Sequence, residues 1–366
     1  MSYPALEGLL VDVSDLTFGA TLGHGSFSIV QEALMRPSCS RVAIKTYDKQ
    51  TLKKHKKTEE ALMERHLLSR INHPNIVRLI SSLSSPTKFY LITELCVKGE
   101  LWQLCRGWGH PEDLVKIFVI QVCRAMQYIH RAGIVHRDIK AENIFVSHDM
   151  TVKLGDFGTA KDVFNPSMKA STTPSFRAEF EHFVGTPNFM APEVVANQVN
   201  DALSDIWSLG CTVYQILLGI PPFVASSQYF IFLRIEHRDV VFPSDGISQS
   251  ARNFVMDMLR PRKSRISLQA ILEHPYIKMK PRSNVAYSLN ENLIMKTFQS
   301  ASDEELVEKF QAASFDNLDT CITNRVYWAD EWRRKSKPGT GAAALLHLNL
   351  PELSEDYAYL ASNCKI

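Results

Sequence analysis

Apolar positions along the chain change their period once. Between residues 16 and 93 they fall in short β-branched or aromatic runs at 16–22, 41–46, 76–81 and 88–93, bounded by Gly, Pro, Ser or Asn, a pattern that predicts strands. One helical stretch interrupts them. Thr58-Glu59-Glu60-Ala61 reads as a capped start, Met63, Leu67, Leu68 and Ile71 recur at helical spacing, and Asn72-His73-Pro74 ends the run. From residue 100 the period is mainly helical. Leu114, Ile117, Phe118, Val122, Ala125 and Ile129 make one apolar stripe, and 206–218 reads as a helix buried all round. These strand runs with one helix, followed by a helical body, predict a two-lobed α+β protein with a cleft at the junction. Beyond His274-Pro275-Tyr276 the pattern weakens, and 280–366 forms an extension of unassigned fold. Its Trp328 and Trp332 read as groups docked on the main body rather than as a binding platform.

Composition narrows the class. Of 366 residues, 45% are hydrophobic and 22% charged, values of an ordinary globular chain rather than a disordered or fibrous one. Lys and Arg number 41 against 39 Asp and Glu, a formal charge of +2, so no global field recruits nucleic acid or an anionic membrane. No apolar run approaches the ~18 residues of a membrane span, and Met1-Ser2-Tyr3-Pro4 does not open a signal peptide. The seven cysteines are odd in number and widely spaced, which argues against a disulfide framework or zinc site and for a reducing cytosol. The expectation is a soluble, cytoplasmic protein.

Candidate chemistry begins at Leu22-Gly23-His24-Gly25-Ser26-Phe27-Ser28-Ile29-Val30. Glycines after a strand let backbone N–H groups approach phosphate oxygens, although an ordinary hairpin turn fits them equally well. Val42-Ala43-Ile44-Lys45 places a lysine inside an apolar strand; it either snorkels to the surface or has anionic partners, and Glu64 on the intervening helix is a candidate. The decisive run is Val135-His136-Arg137-Asp138-Ile139-Lys140-Ala141-Glu142-Asn143-Ile144-Phe145. Asp138 suits acceptance of a hydroxyl proton, Lys140 suits neutralising a transferring phosphoryl, and the Asn143 amide oxygen suits Mg²⁺. Asp156-Phe157-Gly158 adds a second hard oxygen ligand, and Ala191-Pro192-Glu193 follows.

This ordered set resembles the signature of eukaryotic serine/threonine protein kinases. Further likenesses are Asp205-Ile206-Trp207-Ser208-Leu209-Gly210, placed like the family's brace of the catalytic loop, and Arg265, placed to pair with Glu193. Ser28 in place of a third glycine, Asp156-Phe157-Gly158-Thr159-Ala160-Lys161, Phe183-Val184-Gly185-Thr186 and Gln228-Tyr229-Phe230-Ile231-Phe232 resemble the 3-phosphoinositide-dependent kinases of the AGC group.

The resemblance implies the two-lobed kinase fold, with an N-terminal extension at 1–15 and a kinase domain at 16–279. That domain divides into an N-lobe at 16–93, a hinge at 94–99 and a C-lobe at 100–279. It implies transfer of the ATP γ-phosphoryl with Mg²⁺, and protein substrates among the activation loops of AGC-group kinases. Catalytic residues would be Asp138, Lys140, Asn143, Lys45 and Glu64, with Asn143 and Asp156 on the metal. ATP would meet Leu22, Gly23, Gly25, Ser26, Phe27, Ser28, Val30, Ala43, Lys45, Glu94, Leu95, Cys96, Glu100, Glu142, Phe145 and Asp156, with Thr93 as gatekeeper. Leu22, Val30, Ala43 and Phe145 also read as simple core packing. A docking pocket for a partner's hydrophobic motif would use Leu52, Ala61, Leu62, Arg65 and Phe89.

Departures from the family set further expectations. The tail shows no strand-rich pattern of the ~100 residues that a pleckstrin-homology domain needs, so direct phosphoinositide recruitment is not expected. His182 stands where the family has a phosphorylated serine, and Met63 stands where it has an arginine. Arg137 and Lys161 remain from the phosphate clamp, so independence from the usual activation-loop phosphate is expected. The alternatives are another AGC- or calcium/calmodulin-kinase-like enzyme, or a pseudokinase scaffold; the latter would be expected to lack one of Lys45, Asp138, Asn143 and Asp156.

Overall fold

A computed structural model of the chain describes residues 12–36, 38–106, 109–164, 186–196, 199–243 and 246–279. His182 and the tail with Trp328 and Trp332 lie outside the described residues.

Strands β1 (Leu16–His24), β2 (Ser28–Met35), β3 (Ser40–Asp48), β4 (Leu79–Ser84) and β5 (Lys88–Glu94) form one antiparallel sheet in the order β1-β2-β3-β5-β4. Alternation along the strands divides its side chains between two faces. Val42, Ile44, Tyr90 and Ile92 join Leu16, Ala33 and Met35 in one buried cluster. Tyr47, Phe89 and Leu91 face the other way and pack with Leu52 and Ala61. These last two come from α1 (Lys49–Lys54) and α2 (Thr58–Arg70), which cover that face.

Helix α1 is an addition to the single helix that the pattern predicts. Six residues with Leu52 alone buried give no apolar period, and the helix starts because Asp48 accepts from the Thr51 amide at 2.7 Å. Thr58 is not the cap of α2 but its first residue, and Lys57 at the cap position makes no side-chain capping bond, its ammonium pairing instead with Glu60 at 2.6 Å. The run at 76–81 becomes a strand only from Leu79. Its first residues serve the other lobe, with the Val77 amide donating to the Leu154 carbonyl at 2.9 Å.

The helical body follows as α3 (Leu101–Cys105), α4 (Glu112–Arg131), α5 (Pro192–Val195), α6 (Ala202–Leu218), α7 (Gln228–His237), α8 (Gln249–Met258), α9 (Leu268–Leu272) and α10 (Pro275–Lys278). Helices α4 and α6 are its axis. The predicted stripe of α4 is buried except for half-buried Leu114, and Asp201 starts α6 with a reciprocal capping box, while Gly219 ends it in the left-handed region. Leu67 and Leu68 of α2, with Ile71 just past its end, belong to the same core as α4 and α6, so α2 is shared by both lobes. Among the described residues, no helix is long and apolar enough to cross a membrane.

Two short antiparallel pairs join β6 (Ile134–Val135) to β9 (Lys161–Asp162), and β7 (Ile144–Val146) to β8 (Val152–Leu154). The loops they carry, 136–143 and 155–160, meet through His136 and Gly155, and Asp156 of the second reaches Lys45 on β3.

Candidate active site

The 136–143 loop is fixed from beneath by a fully buried carboxylate. Asp205 on α6 accepts from the amides of His136 and Arg137 at 2.9 and 2.8 Å and faces His130 Nε2 at 2.8 Å. That grip holds Arg137 in the left-handed region, at φ 69°, a conformation that a non-glycine residue keeps only where its surroundings impose it. His136 Nε2 lies 3.0 Å from the Gly155 carbonyl, and its ring meets the buried Phe157 edge-on at 4.9 Å. The two loops are thus locked together.

At the mouth of the first loop, the Asp138 carboxylate collects four donors. Oδ1 accepts from the Thr186 amide and hydroxyl at 3.0 and 3.1 Å; Oδ2 accepts from Asn143 Nδ2 at 2.8 Å and pairs with Lys140 Nζ at 2.9 Å. Lys140 also donates to Thr186 Oγ1 at 2.5 Å. Acid, cation and hydroxyl therefore form one oriented cluster.

The second cluster joins the lobes. Lys45 Nζ lies 2.9 and 3.1 Å from the two Glu64 oxygens and 2.8 Å from Asp156 Oδ1. Burial alone would push the Lys45 ammonium down, but the carboxylates of Asp156 and Glu64 outweigh it and hold its pKa well above the ordinary lysine value. Lys45 in turn holds the Asp156 carboxyl down to about 2, against the opposing effect of burial. Asp156 sits in the left-handed region and accepts from the Gly158 amide at 3.3 Å. Gly155 before it is required by close approach: a Cβ there would stand 2.8 Å from the Phe145 ring.

A protein kinase domain model matches residues 16–277. The chain belongs to the protein kinase family. It is 33% identical to 3-phosphoinositide-dependent protein kinase 1 of Arabidopsis thaliana, over 72% of this chain and 55% of that protein. It is 35% identical to the putative 3-phosphoinositide-dependent protein kinase 2 of Homo sapiens over 92% of this chain and 81% of that protein. Human 3-phosphoinositide-dependent protein kinase 1 is 35% identical over 67% of this chain and 43% of its own length. The kinase described here thus spans about half the length of two of these three relatives.

The expected nucleotide residues differ in exposure. Val30, Ala43 and Phe145 are half-buried and Leu22 is exposed, so these four stand at the rim of the interior and not within it. In the glycine turn, the Gly25 amide donates to the Ser28 carbonyl at 2.8 Å, and the Ser28 hydroxyl fills the space that a Gly25 Cβ would need. Phe27 lies against the His55 ring at 5.3 Å and packs on the cluster of Tyr47, Leu52 and Phe89. At the expected hinge, Glu94 pairs with Lys153 at 3.0 Å, and the Lys98 and Val146 amides stitch residues 98–99 to β7. Burial pushes the Cys96 thiol up to about 12, with Glu94 adding to the shift, so Cys96 is a poor nucleophile. Burial also raises the carboxyls of Glu100 and Glu142, and Glu142 raises Glu100 further.

Magnesium fits the donor set. Among the described residues no group of three or more His, Cys, Asp or Glu makes a ready-made cage. Mg²⁺ commonly takes one or two protein oxygens, several waters and the substrate's phosphates. Asn143 spends its amide nitrogen on the Asp138 carboxylate and carbonyl, which leaves its amide oxygen as a ligand. Asp156 engages Oδ1 with Lys45 and Gly158, which leaves Oδ2.

Three of the five docking residues come together, and two stand apart from them. Leu52, Ala61 and Phe89 are buried in the cluster behind the sheet, while Leu62 and Arg65 lie exposed on α2. Of the clamp residues, Arg137 donates to the Thr159 carbonyl at 2.6 Å, and Lys161 is exposed. Sequence reasoning missed the orienting partners. Thr186 lies 48 positions from Asp138, and Gln215, which bonds the Ala141 amide and Glu142, lies 74 and 73 positions from them. No local spacing announces such contacts.

Proposed function

We propose that this kinase transfers the γ-phosphoryl of ATP to serine or threonine hydroxyls, and that its substrates include activation loops of AGC-group kinases. The observation that carries the reading is the single ammonium of Lys45 holding Glu64 of one lobe and Asp156 of the other, beside a separately oriented Asp138. Lys45 would meet the α- and β-phosphates, kept charged and aimed by Glu64. Asn143 and Asp156 would hold Mg²⁺, which supplies charge neutralisation on the phosphates. The substrate hydroxyl gives its proton to Asp138 as its oxygen bonds to the γ-phosphorus. The bond from that phosphorus to the bridging oxygen breaks, ADP leaves, and Lys140 offsets the charge on the phosphoryl group. Thr186 and Asn143 keep the Asp138 carboxylate from rotating out of line.

The substrate class rests on the resemblance and on docking at α2. Arg65 is exposed on α2, four positions after the buried Ala61 of the Leu52–Phe89 cluster, and would offer its charge to an anionic, aromatic segment. Radiolabelled phosphate transfer to AGC activation-loop peptides, compared with generic basic peptides, tests the class. A clear preference for the former is expected, and equal rates would reject it. A phosphorylated Phe-x-x-Phe peptide should stimulate the wild type more than Arg65→Ala, and equal stimulation would remove the docking site.

A further inference from the structure

We propose that Tyr47 is a positioning residue for phosphoryl transfer, fixing the Glu64 carboxylate in the orientation from which both its oxygens reach Lys45. Lys45 and Tyr47 are two positions apart on β3, so they leave the same face of the sheet. That face meets α2, and both side chains converge on one group: Lys45 Nζ bonds both Glu64 oxygens, while the Tyr47 hydroxyl donates to Oε2. Glu64 is 2% exposed and Tyr47 6%, so water does not compete for these bonds. Burial, with the Glu64 charge beside it, pushes the phenol pKa far up, and the hydroxyl stays a donor at any working pH.

The ring is held independently of its hydroxyl. Tyr47 stands directly across from Phe89 on β5 and stacks on it at 6.0 Å, within the cluster that includes Leu52 and Ala61. Its face also lies 5.5 Å from Lys45 Nζ, within reach of a cation–π contact. Phenylalanine would satisfy all of this packing. Only the hydroxyl adds a bond to charge, and a carboxylate torsion is otherwise soft. Tyr47 therefore ties the sheet's packing to the pair that aims the ammonium, at a point no motif marks.

The inference rests on the phosphotransfer reading, because Tyr47 acts through Lys45. Tyr47→Phe is expected to lower kcat/KM about tenfold, mainly through a higher KM for ATP, as befits a buried bond to a charged group. In a Glu64→Gln background the same change should alter kcat/KM less than about twofold, because the bond is already altered. Unchanged kcat/KM in the first comparison, or equal losses in both backgrounds, would overturn the proposal. A readout free of turnover is the ¹³Cζ resonance of Tyr47 in ring-labelled protein. It should move when Glu64 becomes glutamine, and a stationary resonance would overturn the bond itself. A wild type without any kinase activity would reject the phosphotransfer reading alone, and the resonance would still decide whether Tyr47 holds Glu64.

Discussion

Replacing Glu193 with alanine strands a guanidinium in the interior of the C-lobe. Arg265 meets Glu193 in a two-pronged pair, Nη1 to Oε1 at 2.6 Å and Nη2 to Oε2 at 3.0 Å, and its side chain has no exposed surface. Breaking a buried pair by removing one partner costs about 3–5 kcal/mol, because the remaining charge stays desolvated. Arg265 keeps the Leu203 carbonyl at 2.7 Å, the Arg260 carbonyl at 3.0 Å and the face of Trp207 at 5.1 Å. These contacts place Glu193→Ala at the low end, about 3 kcal/mol. For a domain of this size each kcal/mol moves the midpoint by about 2–4 °C, so Tm should fall by roughly 6–12 °C. Calorimetry reads the shift, and urea unfolding with an unchanged m-value confirms that it lies in the native state. Removing both charges with Glu193→Met and Arg265→Leu should recover more than half of the loss. A Glu193→Ala protein within about 1 kcal/mol of wild type would refute the reasoning, since it would mean the guanidinium escapes to water.

Two other outcomes follow from the site. The Asp156 carboxyl is held down to about 2 in the folded chain, below its unfolded value of about 3.9, so its stabilising effect is complete above about pH 4 and lost as pH falls toward 2. The stability gap between wild type and Asp156→Asn, taken by urea unfolding across that range, should narrow, and a constant gap would contradict the pairing with Lys45. Gly155→Ala should destabilise by about 1–3 kcal/mol and weaken ATP binding, because its Cβ would press the Phe145 ring at 2.8 Å and Val77 at 3.0 Å. Unchanged values of both would show that the ring yields freely.

Where chemistry sits in contiguous residues, the sequence was readable. Asp138, Lys140 and Asn143 share one short loop and meet in the structure as their spacing suggests. Lys45 and Glu64 are 19 positions apart, yet a strand followed by a helix is enough to bring them together. The illegible parts have physical reasons. Helix α1 is too short to show a period and owes its start to the Asp48 cap. Ile76 and Val77 are apolar like a strand, but the 76–78 backbone is spent on Leu154 and Glu94. Tyr47 reads as one more aromatic strand residue, because nothing local distinguishes a ring that packs from a hydroxyl that reaches the Glu64 carboxylate.

Asp138 carries the claim of catalysis, and single-turnover transfer of radiolabelled γ-phosphate by wild type and Asp138→Asn addresses it with nucleotide affinity measured in parallel. The amide keeps the size of the side chain but no longer takes the hydroxyl proton. A general base contributes about 10²- to 10⁴-fold, so transfer should fall by at least about 10² while the Kd for Mg·ATP changes little. Transfer within about tenfold of wild type would contradict proton acceptance by Asp138, whatever else the cleft binds.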